Sequence, residues 1–451
     1  MVLFFDKQSL LRVLFAPLAV VLTSFYLFPF EFSFARGFNT KMIMAGCGCF
    51  LLCIQLAQKG FFEAKRDLSS LFYLGGMVSL CGLLSVLYNR TNDYTYTTYI
   101  VSMAVWLSAA NVVVSFIRSI HGYVSVLLVC KYLIVVCFLQ CLSALVIDNS
   151  DAFKNLVNTY VANFSSSVST GNSLDGAGRL YGIGAALDIA GSRFSTVLII
   201  AAFCAMNSHL RTCQLWTFLV MFIFIFIVGC SISRTTTVGF ILSVIIWIIS
   251  YTFRMRNGWI MEIPNRQMLK VLIILLLLTI PIVTYLYHVN EGFHNSFRFA
   301  FEGFFNWLET GVWRTSSTDT LRTMYVFPEE IKTWFIGDGY FADPHKTDPY
   351  YIGVSLSGFY KGVDVGYLRF VYYFGLMGLL VFCLYFMNVA KSCIARFPKY
   401  KLMFVAILAV NFIVWFKVAT DIFLVFAPFL CISQDENKEY EERCLMNNQA
   451  S

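Results

Sequence analysis

The residues of this chain best suited to chemistry are charges placed where charge is costly. Lys131, Asp188, Arg193, Arg369, Lys417 and Asp421 all fall within long apolar stretches, where an ionised side chain at mid-bilayer depth costs about 2.5–3.5 kcal/mol even on insertion scales. Lys417 and Asp421 are four apart and would neutralise each other on a continuous helix. Lys131 has no partner nearby in sequence, and a contact to Asp188 or to a backbone carbonyl would satisfy it. Arg193, Arg234 and Arg369 fall near the outward ends of their spans. Each would serve as an interfacial anchor with its stem in the apolar layer. Together, beside one large loop, they read as a shared anion site. The guanidinium fork matches phosphate oxygens two at a time and keeps its charge. A diphosphate at the bilayer surface, with a polyprenyl tail in the membrane, calls for cations at this depth.

These residues are positioned by a membrane scaffold. The chain has 451 residues, of which 58% are hydrophobic and 13% charged, with a mean hydropathy of +0.70. Soluble domains carry about a quarter charged residues. The expected fold is an all-α polytopic membrane protein with about twelve transmembrane helices. They are placed at 9–30, 42–58, 68–88, 97–117, 123–147, 183–207, 214–231, 236–253, 270–288, 365–389, 402–418 and 420–433. The first has no small-residue cleavage site and runs into a second span, so it reads as a retained helix rather than a signal peptide. Four regions follow: transmembrane helices over 1–288 with a smaller outward loop at 148–182, a large loop carrying short helices over 289–364, further transmembrane helices over 365–433, and a polar tail over 434–451.

Orientation comes from the short loops. Lys7, Arg12, Lys59, Lys65, Arg66, Arg118, Arg211, Arg254, Arg256, Arg266, Lys270, Lys391, Arg396, Lys399 and Lys401 fall on one side, against Arg36, Lys41, Arg90 and Arg234 on the other. Both termini are therefore expected in the cytoplasm and the two larger loops outside. The net charge of +7 is largely this topogenic signal. No basic cluster with interleaved aromatics suggests nucleic acid. The fourteen cysteines lie in apolar spans, near the cytoplasmic side or in the tail, so no disulfide framework is indicated. Cys47 and Cys49 have no His or acidic companion and read as small apolar fillers rather than metal ligands. No cofactor is expected. The acidic tail from Asp435 reads as a solvated, disordered end.

Within the large loop, Phe297, Phe301, Phe304, Phe305, Leu308 and Val312 recur at helical spacing and suggest a helix lying in the interface. Ser316, Ser317 and Thr318 offer caps for a short helix carrying Arg322. Gly337-Asp338-Gly339 is a turn signature. Tyr340, Tyr350, Tyr351 and Tyr360 suit either sugar stacking or an interfacial aromatic belt.

The order of these pieces resembles the Wzy-type O-antigen and capsular polysaccharide repeat-unit polymerases, within the O-antigen ligase and polymerase superfamily. The matching stretches are Arg179-Leu180-Tyr181-Gly182 through Gly191-Ser192-Arg193-Phe194, then Ser233-Arg234-Thr235, the loop helix with Arg322, Gly337-Asp338-Gly339-Tyr340, Asp364 through Arg369, and Gly375-Leu376-Met377-Gly378. They cover about Leu174 to Leu430. The resemblance implies a metal-independent glycosyltransferase of the bacterial inner membrane. It would move a growing glycan from undecaprenyl diphosphate onto a lipid-linked repeat unit at the periplasmic face, with a chain-length regulator as a further partner. Carried over by position, Arg193, Arg234 and Arg322 are the first candidates for the diphosphate, followed by Arg369 and Lys417, with Tyr340 beside the glycan. The proton acceptor is expected at Asp364, then His345 or Asp338. Asp364 is equally suited to capping the helix that follows it, and His345 to an ordinary surface loop. Two other functions stay open. An O-antigen ligase would carry a His motif in this loop, which His294-Asn295-Ser296 begins without the expected later glycines. A flippase or other transporter would show internal repeats, which are not evident.

Overall fold

The computed structural model describes residues 7–59, 66–162, 179–206, 212–252, 266–345 and 358–439. Lys65, Arg211, Arg254, Arg256, Tyr350 and Tyr351 lie outside the described residues. The described residues are mostly helical: α1 Lys7–Leu27, α2 Thr40–Lys59, α3 Arg66–Asn89, α4 Tyr99–His121, α5 Val126–Asn149, α6 Asp151–Tyr160, α7 Leu187–Ala205, α8 Thr212–Ile232, α9 Thr236–Thr252 and α10 Arg266–Val289. The large loop contributes α11 Glu291–Ala300, α12 Glu302–Thr310, α13 Ser316–Thr323 and α14 Ile331–Phe335, before α15 Gly366–Arg396, α16 Lys401–Val414 and α17 Phe423–Leu430. The described sheet is one antiparallel pair, β1 (Glu31–Phe32) with β2 (Val161–Ala162).

Among the described residues, seven helices are long and apolar enough to cross a membrane: Leu68–Asn89, Tyr99–His121, Val126–Asn149, Leu187–Ala205, Thr212–Ile232, Gln267–Val289 and Gly366–Arg396. Leu14–Leu27, Thr40–Ile54 and Thr236–Ser250 are shorter apolar stretches. The last two expected spans are broken. The chain leaves the helix after Val414 and re-enters one only at Phe423, so Lys417 and Asp421 sit on a non-helical link and share no helix face. Of the seven long helices α7 is the most enclosed, with packing against α5, α8, α9 and α16. Helix α10 stands at the periphery and exposes Leu277, Ile280, Ile282 and Tyr285, as a lipid-facing helix does.

Tertiary contacts sort the connections onto two faces. On one, β1 pairs with β2, Asp93 accepts from the amides of Phe341 and Ala342, and the 415–422 link reaches Asp188. On the other, Arg118 forms a two-pronged ion pair with Glu436, and Arg396 donates to the Leu430 carbonyl. The tail departs from its expected disorder at its start. Residues 434–439 are helical, Glu436 also accepts from the Val124 amide, and Asn437 accepts from the Val126 amide at 3.0 Å. Those bonds satisfy free amide donors at the start of α5, which is why the segment docks.

One break in the bundle explains the Gly-Asp-Gly signature. Helix α15 is interrupted at Phe374 and Gly375, the latter with φ +69°. Its freed carbonyls must be satisfied at membrane depth. The amide of Asp338 donates to Tyr372 O at 2.6 Å and that of Gly339 to Tyr373 O at 3.2 Å, while Ser85 Oγ donates to Tyr373 O as well. The approach leaves no room for side chains: a Cβ on Gly375 would lie 2.1 Å from Phe335 O, and one on Gly337 2.5 Å from Tyr373 O. The turn is therefore an anchor that plugs the large loop into α15. Beneath it, Trp415, fully buried, meets Phe370, Phe382 and Phe386.

Helices α7 and α9 touch backbone to backbone, where a Cβ on Gly239 would lie 2.2 Å from Ser195 O. Gly239→Ala is expected to destabilise the protein by about 1–3 kcal/mol through overpacking. Gly46→Ala, where an added Cβ meets nothing within 4 Å, is the matched control. Thermal unfolding in detergent compares the two.

Candidate functional site

The described charges at the loop-bearing face form two neighbouring groups. The first is built around Asp188, in the opening turn of α7. Its Oδ1 accepts from Ser233 Oγ at 2.8 Å, Thr235 Oγ1 at 2.5 Å and Lys417 Nζ at 2.7 Å. The short turn between α8 and α9 supplies the two hydroxyls, and the non-helical link supplies the lysine. Lys417 also donates to Thr235 Oγ1 at 3.1 Å. The turn comes this close because residue 191 is glycine, where a Cβ would stand 2.5 Å from Ser233 Oγ. Immediately before Asp188, Leu187 holds φ +54°, a strained conformation for a branched side chain.

Asp364 and Arg369 complete this group. Helix α15 starts at Gly366 with Val365 at the cap position and no side-chain cap bond, so Asp364 is not the cap. It accepts from Arg369 Nη1 at 3.3 Å. Arg369 also donates to Phe341 O at 3.1 Å, lies 3.6 Å from the centre of the Phe341 ring and keeps a buried Nε without a hydrogen-bond partner. Burial raises the Asp364 carboxyl from its ordinary 3.8 to about 6; Asp188 adds to the shift, while Arg369 and Lys417 oppose it. These influences place Asp188, Asp364, Arg369 and Lys417 within electrostatic reach of one another.

Arg234 closes the group from the loop side. Nε donates to Phe299 O at 2.8 Å, Nη1 to Ser317 Oγ at 3.0 Å, and Nη2 pairs with Glu302 at 2.5 Å. Its guanidinium stacks 4.1 Å from the Phe299 ring centre, with Arg179 at 4.8 Å from the same ring. Burial pulls Arg234 below its ordinary value; the Glu302 charge opposes this and Arg179 adds to it.

The second group lies beside the first, among the ends of α1, α2, α4 and α7. Arg193, five residues beyond Asp188 on α7, is 7% exposed. Among the described residues no side chain pairs with it; its nearest aromatic face is Phe28, at 5.6 Å. Lys41 lies 4.4 Å from the centre of the Trp106 ring. Asp421 accepts from Tyr99 OH at 2.8 Å and from the Phe423 amide at 2.7 Å, and the charges of Lys41 and Arg193 both act on it.

Thus Arg234, Arg369, Lys417 and Asp364 are brought together, and Arg193 stands in the adjoining group. Arg322 is exposed on α13, whose Leu321 packs against Val363, Leu368 and Tyr372. Asp338 is occupied by Thr333 Oγ1 at 2.7 Å, Lys332 Nζ at 2.8 Å and Tyr360 OH at 3.3 Å. Tyr340 stacks on Tyr360 at 5.4 Å. His345 is an exposed turn residue whose amide donates to Asp343. The cap of α13 is Thr315, whose Oγ1 accepts from the Thr318 amide at 3.1 Å; Ser317 serves Arg234 instead. The aromatic stripe is two helices, α11 and α12, broken at Phe301.

Several site residues were not singled out for roles from sequence. Asp188 stands in the sequence as one of two contacts open to Lys131, the other a backbone carbonyl, whereas its lysine is Lys417; Arg179, Ser233 and Thr235 stand out only within motifs. Nothing local marks Glu302 or Lys41, since their partners are remote in sequence. The chain matches no protein-family model and no curated protein.

The Asp364 shift has a sign. Its folded value lies above that of the unfolded chain, so between about pH 4 and 6 the folded state holds a proton the unfolded chain has released. Stability is therefore expected to fall as pH rises through that window. Asp364→Asn should flatten the dependence, as read from unfolding midpoints of detergent-solubilised protein at pH 4, 5, 6 and 7.

Proposed function

We propose that this chain is a polysaccharide repeat-unit polymerase of a bacterial inner membrane, crossing it about twelve times with both termini in the cytoplasm and the large loop in the periplasm. The observation that carries this reading is the gathering of Arg179, Arg193, Arg234 and Arg369 at the bundle end covered by the loop, beside a carboxyl group held near 6.

The reaction joins two lipid-linked glycans. A hydroxyl oxygen of the incoming repeat unit attacks the anomeric carbon of the growing chain. The bond from that carbon to undecaprenyl diphosphate breaks, and its electron pair leaves with the diphosphate. Guanidinium groups at the membrane surface take up the developing negative charge, which is the larger part of the catalysis when the leaving group is already a diphosphate. The acceptor proton passes to a carboxylate. Asp364 suits that role better than Asp338, which is committed to Thr333, Lys332 and Tyr360, or His345 in its exposed turn. A carboxyl near 6 is ionised at neutral pH and more basic than an ordinary aspartate. Asp188 and Lys417 are positioning residues that hold the α8–α9 turn, and with it Arg234, against α7.

Two lipid diphosphates must be present at once, and two cationic groups suit that need. Arg234 and Arg179 face the loop, while Arg193 and Lys41 face the neighbouring helix ends. Arg322 on the exposed surface of α13 would meet the carrier or the glycan as it arrives. A chain-length regulator remains the expected protein partner.

The test is glycan profiling of a deletion strain complemented with the wild type, Arg234→Ala, Arg322→Ala or Asp364→Asn. The expected phenotype of the deletion is loss of long chains with a single repeat still on the acceptor. Asp364→Asn should lower the polymerisation rate by about 10²–10⁴-fold, the range of a lost general base. Long polymer stranded on undecaprenyl diphosphate, with bare lipid A-core, would make the chain a ligase; unlinked repeat units held on the cytoplasmic side would make it a flippase.

A further inference from the structure

Arg234 is the cation of the site with the most partners, and all of them come from the loop. Phe299 belongs to α11, Glu302 is the first residue of α12 and Ser317 lies on α13. Glu302 is the charged one. Its carboxylate meets Arg234 Nη2 and accepts from both the Ser316 amide and Ser316 Oγ at 3.0 Å. One carboxylate oxygen, Oε2, meets the guanidinium at Nη2 while Oε1 is held by the Ser316 amide, so Glu302 fills the place that one phosphate oxygen would take on this charged donor.

The rest of α12 is held from one side, where Phe305 stacks on Tyr287 at 5.7 Å, Glu309 pairs with Arg298 and Asn306 donates to Arg314 O. Gly303 is its buried residue, while Phe304, Trp307 and Leu308 are exposed. At its start, Phe301 breaks it from α11 with φ −112° and ψ 25°; at its end, Gly311 has φ +73°. This nine-residue helix has a backbone break at each end, about which it can turn as a unit.

We infer that Glu302 is a resident carboxylate that occupies Arg234 between turnovers, and that the phosphate oxygens of the substrate displace it, releasing α12 from the bundle. The inference rests on the reading of Arg234 as an anion site. The loop then does more than cover the site: it competes for it, so a ligand must carry enough negative charge to outbid one carboxylate. A diphosphate does this and a neutral glycan does not. Selection for diphosphate-bearing substrates follows.

The experiment uses the full chain in nanodiscs with inorganic pyrophosphate as probe. Affinity is measured by calorimetry, and amide hydrogen exchange is followed across residues 302–310. Glu302→Gln keeps the shape of the side chain and removes its charge. It is expected to bind pyrophosphate at least about tenfold more tightly than the wild type, a change of one tenfold step in Kd. In the wild type, pyrophosphate should speed exchange in α12; in Glu302→Gln, exchange should be fast already. Glu302→Asp retains the charge at shorter reach and should bind between the two, which separates competition from misfolding of the glutamine variant. Unchanged or weaker binding by Glu302→Gln, with binding abolished in Arg234→Ala, overturns the competition and leaves the anion site standing. Pyrophosphate binding that is absent, or indifferent to Arg234→Ala, overturns both.

Discussion

A carboxylate at the edge of hydrocarbon must be surrounded by donors, and much of this structure follows from how Asp188 is surrounded. Its Oδ1 draws Ser233 and Thr235 from the α8–α9 turn and Lys417 from the link after α16. Three elements far apart in sequence are thereby drawn to one point. The close approach sets the small residues: Gly191 faces Ser233, and Gly239 faces the backbone at Ser195. It also requires the link to leave the helix after Val414, because a lysine on a continuing helix would be carried round its axis by about 100° per residue rather than held toward α7. Trp415 steadies that departure by donating to Thr420 O at 2.7 Å.

The same economy of hydrogen bonds at depth explains the large loop. A helix interrupted inside a membrane bundle leaves carbonyls that water does not reach. Here Gly337-Asp338-Gly339 supplies the amides, and Asp93 ties down the strand-like residues that follow. The loop is thus pinned at the α15 break and again at Arg234. Helix α13 carries one pin at Ser317, and Tyr340 and Tyr360 gather at the other, beside Asp338. If the chain builds polysaccharide, these two pins define the floor on which the reaction takes place.

The cations divide into those with a fixed partner and those without one. Lys417 holds a carboxylate from helix α7, Arg369 the one that ends the large loop, and Arg234 one from α12 within it. Arg193 has no paired side chain among the described residues. A desolvated charge without a counter-charge is costly, and its cost is reduced by Asp421, which acts on it from the link, and by the ring of Phe28. Such a group retains the valence for an incoming anion that a fully paired arginine has already used.

Hydropathy alone determined that this is a helical membrane protein, because a span long enough to cross a bilayer must be apolar along its length and that property is local. The short helix bearing Arg322 and the turn at Gly337–Gly339 were legible for the same reason, since their signals lie in adjacent residues, although the cap is Thr315 and not a member of the Ser316–Thr318 run. Intramembrane charge also pointed to the residues that gather at the loop-bearing face, since Asp188, Arg193, Arg369 and Lys417 are conspicuous against apolar neighbours. Their partners were not legible. Lys417 chooses Asp188, 229 positions away, over Asp421, and Arg234 chooses Glu302 and Ser317 across 68 and 83 positions. Those choices depend on where helices end and which faces meet, which only the folded bundle decides. The anchoring role of the Gly-Asp-Gly turn was hidden in the same way, because the demand it answers is made by carbonyls in another helix.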